Sequence, residues 1–252
     1  MRLVDGAQAI RGDLPAASTH VVDVPLEAGD ARGTTVHRLG SLLLVRDRTR
    51  DALAALDDVA ITIGGDCGVE LASIEHALVR TPDAAVVWFD AHPDLNTPES
   101  SPSGAFTGMV LRTLAGEGPE ALVPATPLAP GRIVLAGVRD VDPGEQDFID
   151  ANSIAAVQEL APERLVAAVR ATGATSVYLH IDLDVLDPAE IEGLGSPVPF
   201  GATAALLVES IRALRAEFTL VGAGITEFAP ASPAAADDDL PVILRLIGAL
   251  TR

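Results

Sequence analysis

The stretch "AAVVWFDAHPDLN" (84–96) is an unbroken apolar run that ends abruptly in acids and an imidazole. Its β-branched and aromatic residues favour extended backbone, and nothing polar alternates with them before Asp90, so it reads as a strand buried on both faces. Asp90, His92 and Asp94 then follow at i, i+2 and i+4, a spacing that sets all three on one side of an extended segment. Similar runs recur at 19–24 ("THVVDV"), 59–63 ("VAITI"), 132–138 ("RIVLAGV"), 154–158 ("IAAVQ"), 176–182 ("SVYLHID") and 218–225 ("FTLVGAGI"). Helical patterns lie between them near 46–57, 68–80, 104–115, 162–172 and 201–216, with a last one at 237–251. Pro162 ahead of "ERLVAAVRA" and the acids of "DDDLPVILRLIGAL" suit helix N-termini. This alternation predicts an α/β protein with a parallel sheet covered by helices on both faces. No repeat or linker divides residues 1–252, so a single domain is expected.

Composition removes several function classes. All 17 basic residues are arginine, which excludes a Schiff-base lysine and a phosphate-binding Walker lysine. A net charge of -19 argues against nucleic acid or an anionic membrane as partner. Cys67 is the only cysteine, so no intrachain disulfide is possible. The start "MRLVDGAQAIRGD" lacks the apolar core of a signal peptide, and no run of about 18 apolar residues offers a membrane span. A soluble, cytoplasmic protein is expected.

Polar clusters close three of the strands. "GGDCGVE" (64–70) follows "VAITI", and in "HIDLDVLDP" (180–188) Asp182 and Asp184 repeat the two-residue spacing of Asp90 and His92. Open α/β sheets place their sites at the carboxyl ends of strands. Turn chemistry alone gathers Asp, Asn and Pro in loops, but it does not explain three such clusters each ending a strand. Four carboxylates and an imidazole at neighbouring strand ends would repel without a cation, and this many ligands suits two divalent ions sharing carboxylates.

"GGDC", "DAHPDLNTPESSPSG" (90–104), "VRDVDPGE" (138–145), "HIDLDVLDP" and "ITEFAP" (225–230) resemble, in order and spacing, the successive blocks of the arginase (ureohydrolase) family. The resemblance implies a three-layer α/β/α fold with a mostly parallel central sheet. It also implies a binuclear manganese centre whose bridging hydroxide attacks the carbon of a guanidino group. Carried over, it makes Asp90 and Asp182 bridging ligands of two Mn2+. Cys67 and Asp94 would then bind the first metal, and His92 and Asp184 the second. Asp94 would also hydrogen-bond the hydroxide, and Glu227 would pair with the guanidinium. Asn96 and Ser103 match positions that hold an α-carboxylate, and Asp142 and Glu145 positions around an α-amino group, so a small guanidino amino acid is the implied substrate. Family trimers often use a longer C-terminal tail than follows "VILRLIGALTR", which points to a monomer.

Two positions depart from the family pattern. Its first block usually ends in histidine where Cys67 stands, and a histidine that exchanges protons follows its "SG" by three residues where Thr107 stands in "SGAFTGM". Threonine takes up no proton near neutral pH. Asp90, Asp94, Asp182 and Asp184 already balance two divalent ions, and a Cys67 thiolate adds one more negative charge, which weakens the first metal as a Lewis acid. Both changes penalise resonance-stabilised arginine and favour an already activated N-hydroxyguanidino substrate, Nω-hydroxy-L-arginine. L-arginine hydrolysis is the nearest alternative; a metal-binding pseudoenzyme and covalent attack by Cys67 are the others. His180 shares strand parity with Asp182 and is expected deeper in the sheet in a structural role. Asp66 is expected to stabilise the tight turn or to orient a ligand. His20, His37 and His76 show no partner pattern.

Overall fold

The computed structural model describes residues 2–251. Six parallel strands form the sheet: β1 (Ile61–Ile63), β2 (Ala85–Phe89), β3 (Ile133–Ala136), β4 (Ala155–Val157), β5 (Ser176–Asp182) and β6 (Thr219–Thr226), in the order β1-β6-β5-β2-β3-β4. Helices α1 (Leu3–Gly12), α6 (Pro162–Ala171), α7 (Ala204–Glu217) and α8 (Pro233–Thr251) cover one face. Helices α2 (Leu39–Ala54), α3 (Leu71–Arg80), α4 (Val110–Leu114) and α5 (Pro143–Asn152) cover the other. This is the three-layer α/β/α arrangement.

The absence of polar alternation in the strands now has a direct cause. Ala85, Val87 and Phe89 of β2 join Val177, Leu179 and Ile181 of β5 in the core under α6 to α8. Val86, Trp88 and Tyr178 point the other way, into the core under α2 to α4. Each strand therefore needs apolar residues at both parities. Asp90 continues the Trp88 parity and Asp182 the Tyr178 parity, so both acids emerge on the same side. The chain runs β2 to β3 to β4 in one direction, then returns to place β5 on the other side of β2. That break in strand order, where open α/β sheets hold their ligands, falls between the strands ending at Asp90 and Asp182.

Several expectations need correction. Residues 19–24 form no strand; Val21 and Val24 are 54% and 59% exposed. β-propensity expresses packing on a pleated surface, and this segment pairs with no strand of the described sheet. The expected helix at 104–115 is a 3₁₀ turn (Phe106–Met109) leading into the short α4. Two helices went unread: α1 in the stretch "MRLVDGAQAIRGD", and α5, where Asp142 and Glu145 form a capping box and Pro143 opens the first turn. No described helix is long and apolar enough to cross a membrane.

Candidate metal centre and substrate cavity

The first wall of the site is the turn after β1. Gly64 and Gly65 both adopt positive φ, and a Cβ on either would strike Ala7 or Val69 within 2.6 Å, so the chain can turn this tightly only with glycine there. Asp66 caps the following 3₁₀ turn, accepting the Gly68 N–H at 3.0 Å, and so fixes the turn that presents Cys67. The Cys67 thiol is 1% exposed and donates to Asp182 Oδ2 at 3.2 Å, with Thr226 Oγ1 at 3.6 Å. Burial pushes this thiol well above its ordinary value, reinforced by the charges of Asp94, Asp182, Asp90 and Glu227. A nucleophilic cysteine needs the opposite, a cationic neighbour that stabilises thiolate.

β2 and β5 supply the second and third walls. Asp90 Oδ2 accepts the Trp88 indole N–H at 3.1 Å, and Oδ1 accepts the His92 backbone N–H at 2.6 Å. His92 Nδ1 lies 3.0 Å from Asp184 Oδ2 and 3.4 Å from Asp90 Oδ1. Asp182 Oδ1 accepts the Asp184 N–H at 2.8 Å, and Asp184 Oδ1 accepts the Ala91 N–H at 3.0 Å, tying the two strand ends together. Asp94 and Glu227 are non-glycine residues at φ 51° and 65°, a conformation that the surrounding structure has to hold in place.

The electrostatics match a site made for cations. Burial, then neighbouring acids, raise Asp94 and Asp182 well above ordinary carboxyls. Burial and Asp90 take Asp184 to about 6. Asp90 alone of these acids goes down, to about 2: burial would raise it, but the neighbouring imidazoles of His180 and His92 prevail. His92 rises to about 11 because Asp184 and Asp90 outweigh its burial. Three sets of side chains bring ligand atoms within 4.8 Å of one another: Cys67, Asp90, Asp94 and His180; Cys67, Asp182 and Glu227; and Asp90, His92 and Asp184. Asp94 Oδ2 is buried with no hydrogen-bond partner. A buried cluster of acids with an unpartnered oxygen is unfavourable alone and well suited to divalent metal.

The cavity of about 170 Å³ beside this cluster is lined by Asp94, Asp182, Asp184 and Glu227 at one end. Asn96, Ser103, Asp142 and Glu145, the positions matched to an amino acid's polar end, line it too, together with Ser101 and Ser196, which the sequence did not single out. Asn96 donates to Asp142 Oδ2 at 2.9 Å and accepts from Ser100 Oγ at 2.8 Å. Glu145 accepts the Leu95 and Asp142 N–H groups, both at 2.9 Å, and burial holds it at about 7. Ser103 Oγ accepts the Ala105 N–H at 3.2 Å. Thr107 donates to Glu227 Oε1 at 2.9 Å and accepts the Cys67 N–H at 3.3 Å. His92, on the metal side, is the one imidazole among the lining residues.

Sequence reasoning also missed two supports. Trp88, read only as strand, orients Asp90. Arg139 donates to the carbonyls of Asp184 and Val198, both at 2.7 Å, and of Pro199 at 3.1 Å, clamping the loop after β5 beneath the site. An arginine inside "VRDVDPGE" was the available signal.

The family profile of arginases matches residues 6–242, and the chain belongs to the arginase family. It is 36% identical to the arginase of Staphylococcus aureus (strain MRSA252) over 155 residues, 57% of this chain and 51% of that protein. It is 36% identical to the arginase of Entamoeba histolytica over 183 residues, 67% of this chain and 62% of that protein. The chain thus spans between half and two thirds of these curated relatives. The crystal structure of Entamoeba histolytica arginase in complex with L-ornithine superposes with a TM-score of 0.85 at 27% identity, covering 98% of this chain and 93% of that one.

Proposed function

We propose that this chain is a binuclear manganese amidinohydrolase that cleaves Nω-hydroxy-L-arginine to hydroxyurea and L-ornithine. The observation that carries the reading is the pairing of Thr107 with Glu227, where a proton-exchanging imidazole would otherwise face the substrate. Cys67 and Thr107 resemble in this respect the Nω-hydroxy-L-arginine amidinohydrolase of D-cycloserine biosynthesis, which would give the chain a place in antibiotic biosynthesis. L-arginine is the second reading, favoured by the relatives named arginase and by the L-ornithine bound in the Entamoeba structure.

Cys67, Asp90, Asp94 and Asp182 would hold the first metal, and Asp90, His92, Asp182 and Asp184 the second. When bound, the two ions supply Lewis acidity and lower the pKa of a water near neutrality. Everything else falls to the chain's own groups. Glu227, held at about 7 by burial and by the charge of Asp66, ionises against a guanidinium and fixes it by paired hydrogen bonds. Thr107 sets the rotation of that carboxylate. Asp94 directs its unpartnered oxygen into the cluster, where it can receive the proton of the attacking water. Asn96, Ser103, Asp142 and Glu145 anchor the amino-acid end, so the guanidino carbon stops at the metal end of the cavity. Water adds across the substrate's Cζ–Nε bond: its oxygen joins the carbon, the proton taken by Asp94 is returned to the leaving nitrogen, and the products part as the δ-amine of ornithine and as hydroxyurea. The lower basicity of a hydroxylated guanidine offsets the missing imidazole, whose general acid–base help is typically about 10² to 10⁴. Assay of Mn2+-loaded protein on both substrates tests the reading, and faster release of urea from arginine would refute it.

A further inference from the structure

Behind the acidic cluster lies a second, completely buried pair. Glu70 and His180 are both 0% exposed, and His180 Nδ1 sits 2.8 Å from Glu70 Oε1. The other Glu70 oxygen accepts the Tyr178 hydroxyl at 2.9 Å. β6 makes room for this carboxylate: a Cβ on Gly224 would lie 1.8–2.1 Å from its atoms. The imidazole stacks on Trp88 with centroids 3.5 Å apart and planes 16° apart. Ring plane and ring rotation are therefore both fixed.

Nε2 has no hydrogen-bond partner, and in the neutral ring that gives Nδ1–H to Glu70 it carries a lone pair. It faces Asp90 Oδ2 at 3.7 Å, beyond hydrogen-bond reach. A lone pair turned toward a carboxylate is repulsive unless a proton or a metal ion lies between them. Without metal, burial would lower the ring's pKa but Glu70 and Asp90 raise it to about 9, and a bound ion would take the proton's place. His180 offers a ring nitrogen within 4.8 Å of ligand atoms on Cys67, Asp90 and Asp94, and Asp94 Oδ2 likewise lacks a partner. Two residues that each carry an unpartnered buried atom thus belong to one group of four. Atoms bonded to one ion at about 2.1 Å stand roughly 3–3.6 Å apart, close to the Nε2–Oδ2 separation. Ligating histidines characteristically give their other ring N–H to a carboxylate, as His180 does.

We propose that His180 is a ligand of the first metal, oriented by Glu70, and returns to that ion the imidazole lost where Cys67 replaces histidine. The inference rests on the metal-centre reading above. It differs from a simple buried ion pair, in which an imidazolium would neutralise Asp90 and exclude metal from Nε2.

Pulsed EPR on the protein loaded with Mn2+ alone separates the two. His92 and His180 are the only ring nitrogens in these ligand groups. The His92→Ala protein is expected to keep an imidazole nitrogen coupling to bound Mn2+, and adding His180→Phe is expected to abolish it. The phenyl ring preserves the stack on Trp88, and His180→Phe alone is expected to bind the first ion at least about tenfold more weakly in equilibrium dialysis. An uncoupled Mn2+ signal in His92→Ala, or unchanged affinity in His180→Phe, overturns the assignment. If His180→Phe fails to fold, the His92→Ala spectrum still decides. Wild-type protein that takes up no Mn2+ overturns the metal-centre reading as well, and shows it before any variant is made.

Discussion

The Thr107 hydroxyl donates to Glu227 Oε1 at 2.9 Å while accepting the Cys67 N–H at 3.3 Å, so one side chain joins the acid proposed to bind the guanidinium to the cysteine proposed to bind metal. Thr107→His should place a proton-exchanging group at the cavity and raise arginine turnover by about 10- to 100-fold, up to the lower end of the usual general acid–base help of about 10² to 10⁴. Thr107→Val keeps the shape, removes the hydrogen bond, and should raise KM severalfold, about 1 kcal/mol. Steady-state kinetics on both substrates check the pair; a Thr107→His enzyme no better on arginine would argue that the missing imidazole is not what limits it.

Cys67→His should still bind two Mn2+ ions, with the first within about tenfold of its original affinity, because thiolate and imidazole are both competent ligands. Metal content by mass spectrometry and equilibrium dialysis checks it. Complete loss of metal would contradict the equivalence of the two side chains.

Stability of the metal-free chain should fall as pH rises. Burial raises Glu145 and Glu227 to about 7 and Asp184 to about 6. Carboxyls with folded pKa values above their unfolded ones give the native state the larger proton count between the two, so stability is fullest below about pH 4 and declines through pH 6 to 7. His92, raised to about 11 by Asp184 and Asp90 against its burial, contributes stability below its unfolded pKa that is lost as pH rises towards 11. Asp90, lowered to about 2, opposes this only in strong acid. Melting temperature in EDTA should therefore be higher at pH 5.5 than at pH 8, and the gain on adding Mn2+ should be larger at pH 8, where the ligands are ionised. A chelated protein that grows more stable towards pH 8 would contradict this charge balance.

Gly224→Ala should destabilise the fold by about 1–3 kcal/mol, since its methyl would strike the Glu70 carboxylate in a packed interior. The loss should shrink when Glu70→Ala is present, a coupling that denaturant melts of the two single variants and the double variant would read. Additive effects would mean that Gly224 is not there to admit Glu70.

Much of this structure was legible because its signals are local. Apolar runs ending in Asp90 and Asp182 mark strands buried on both faces, and the two-residue spacing of the acids marks the side on which they emerge. The glycines before Cys67 announce a turn that no other residue tolerates. What escaped depended on distant partners. Nothing in residues 19–24 says that no strand lies beside them. Asp142 and Glu145 read as turn residues although their spacing, with Pro143 between, is that of a capping box. His180 reads as a core histidine until Glu70, 110 positions earlier, is placed against it.

The most direct test of the account is kcat/KM of the Mn2+-loaded protein on Nω-hydroxy-L-arginine and on L-arginine, followed by quantifying ornithine and identifying the second product. The account predicts a clear preference, at least about tenfold, for the hydroxylated substrate, with hydroxyurea formed in equal amount to ornithine. Equal or greater efficiency on L-arginine, with urea as the product, would contradict it.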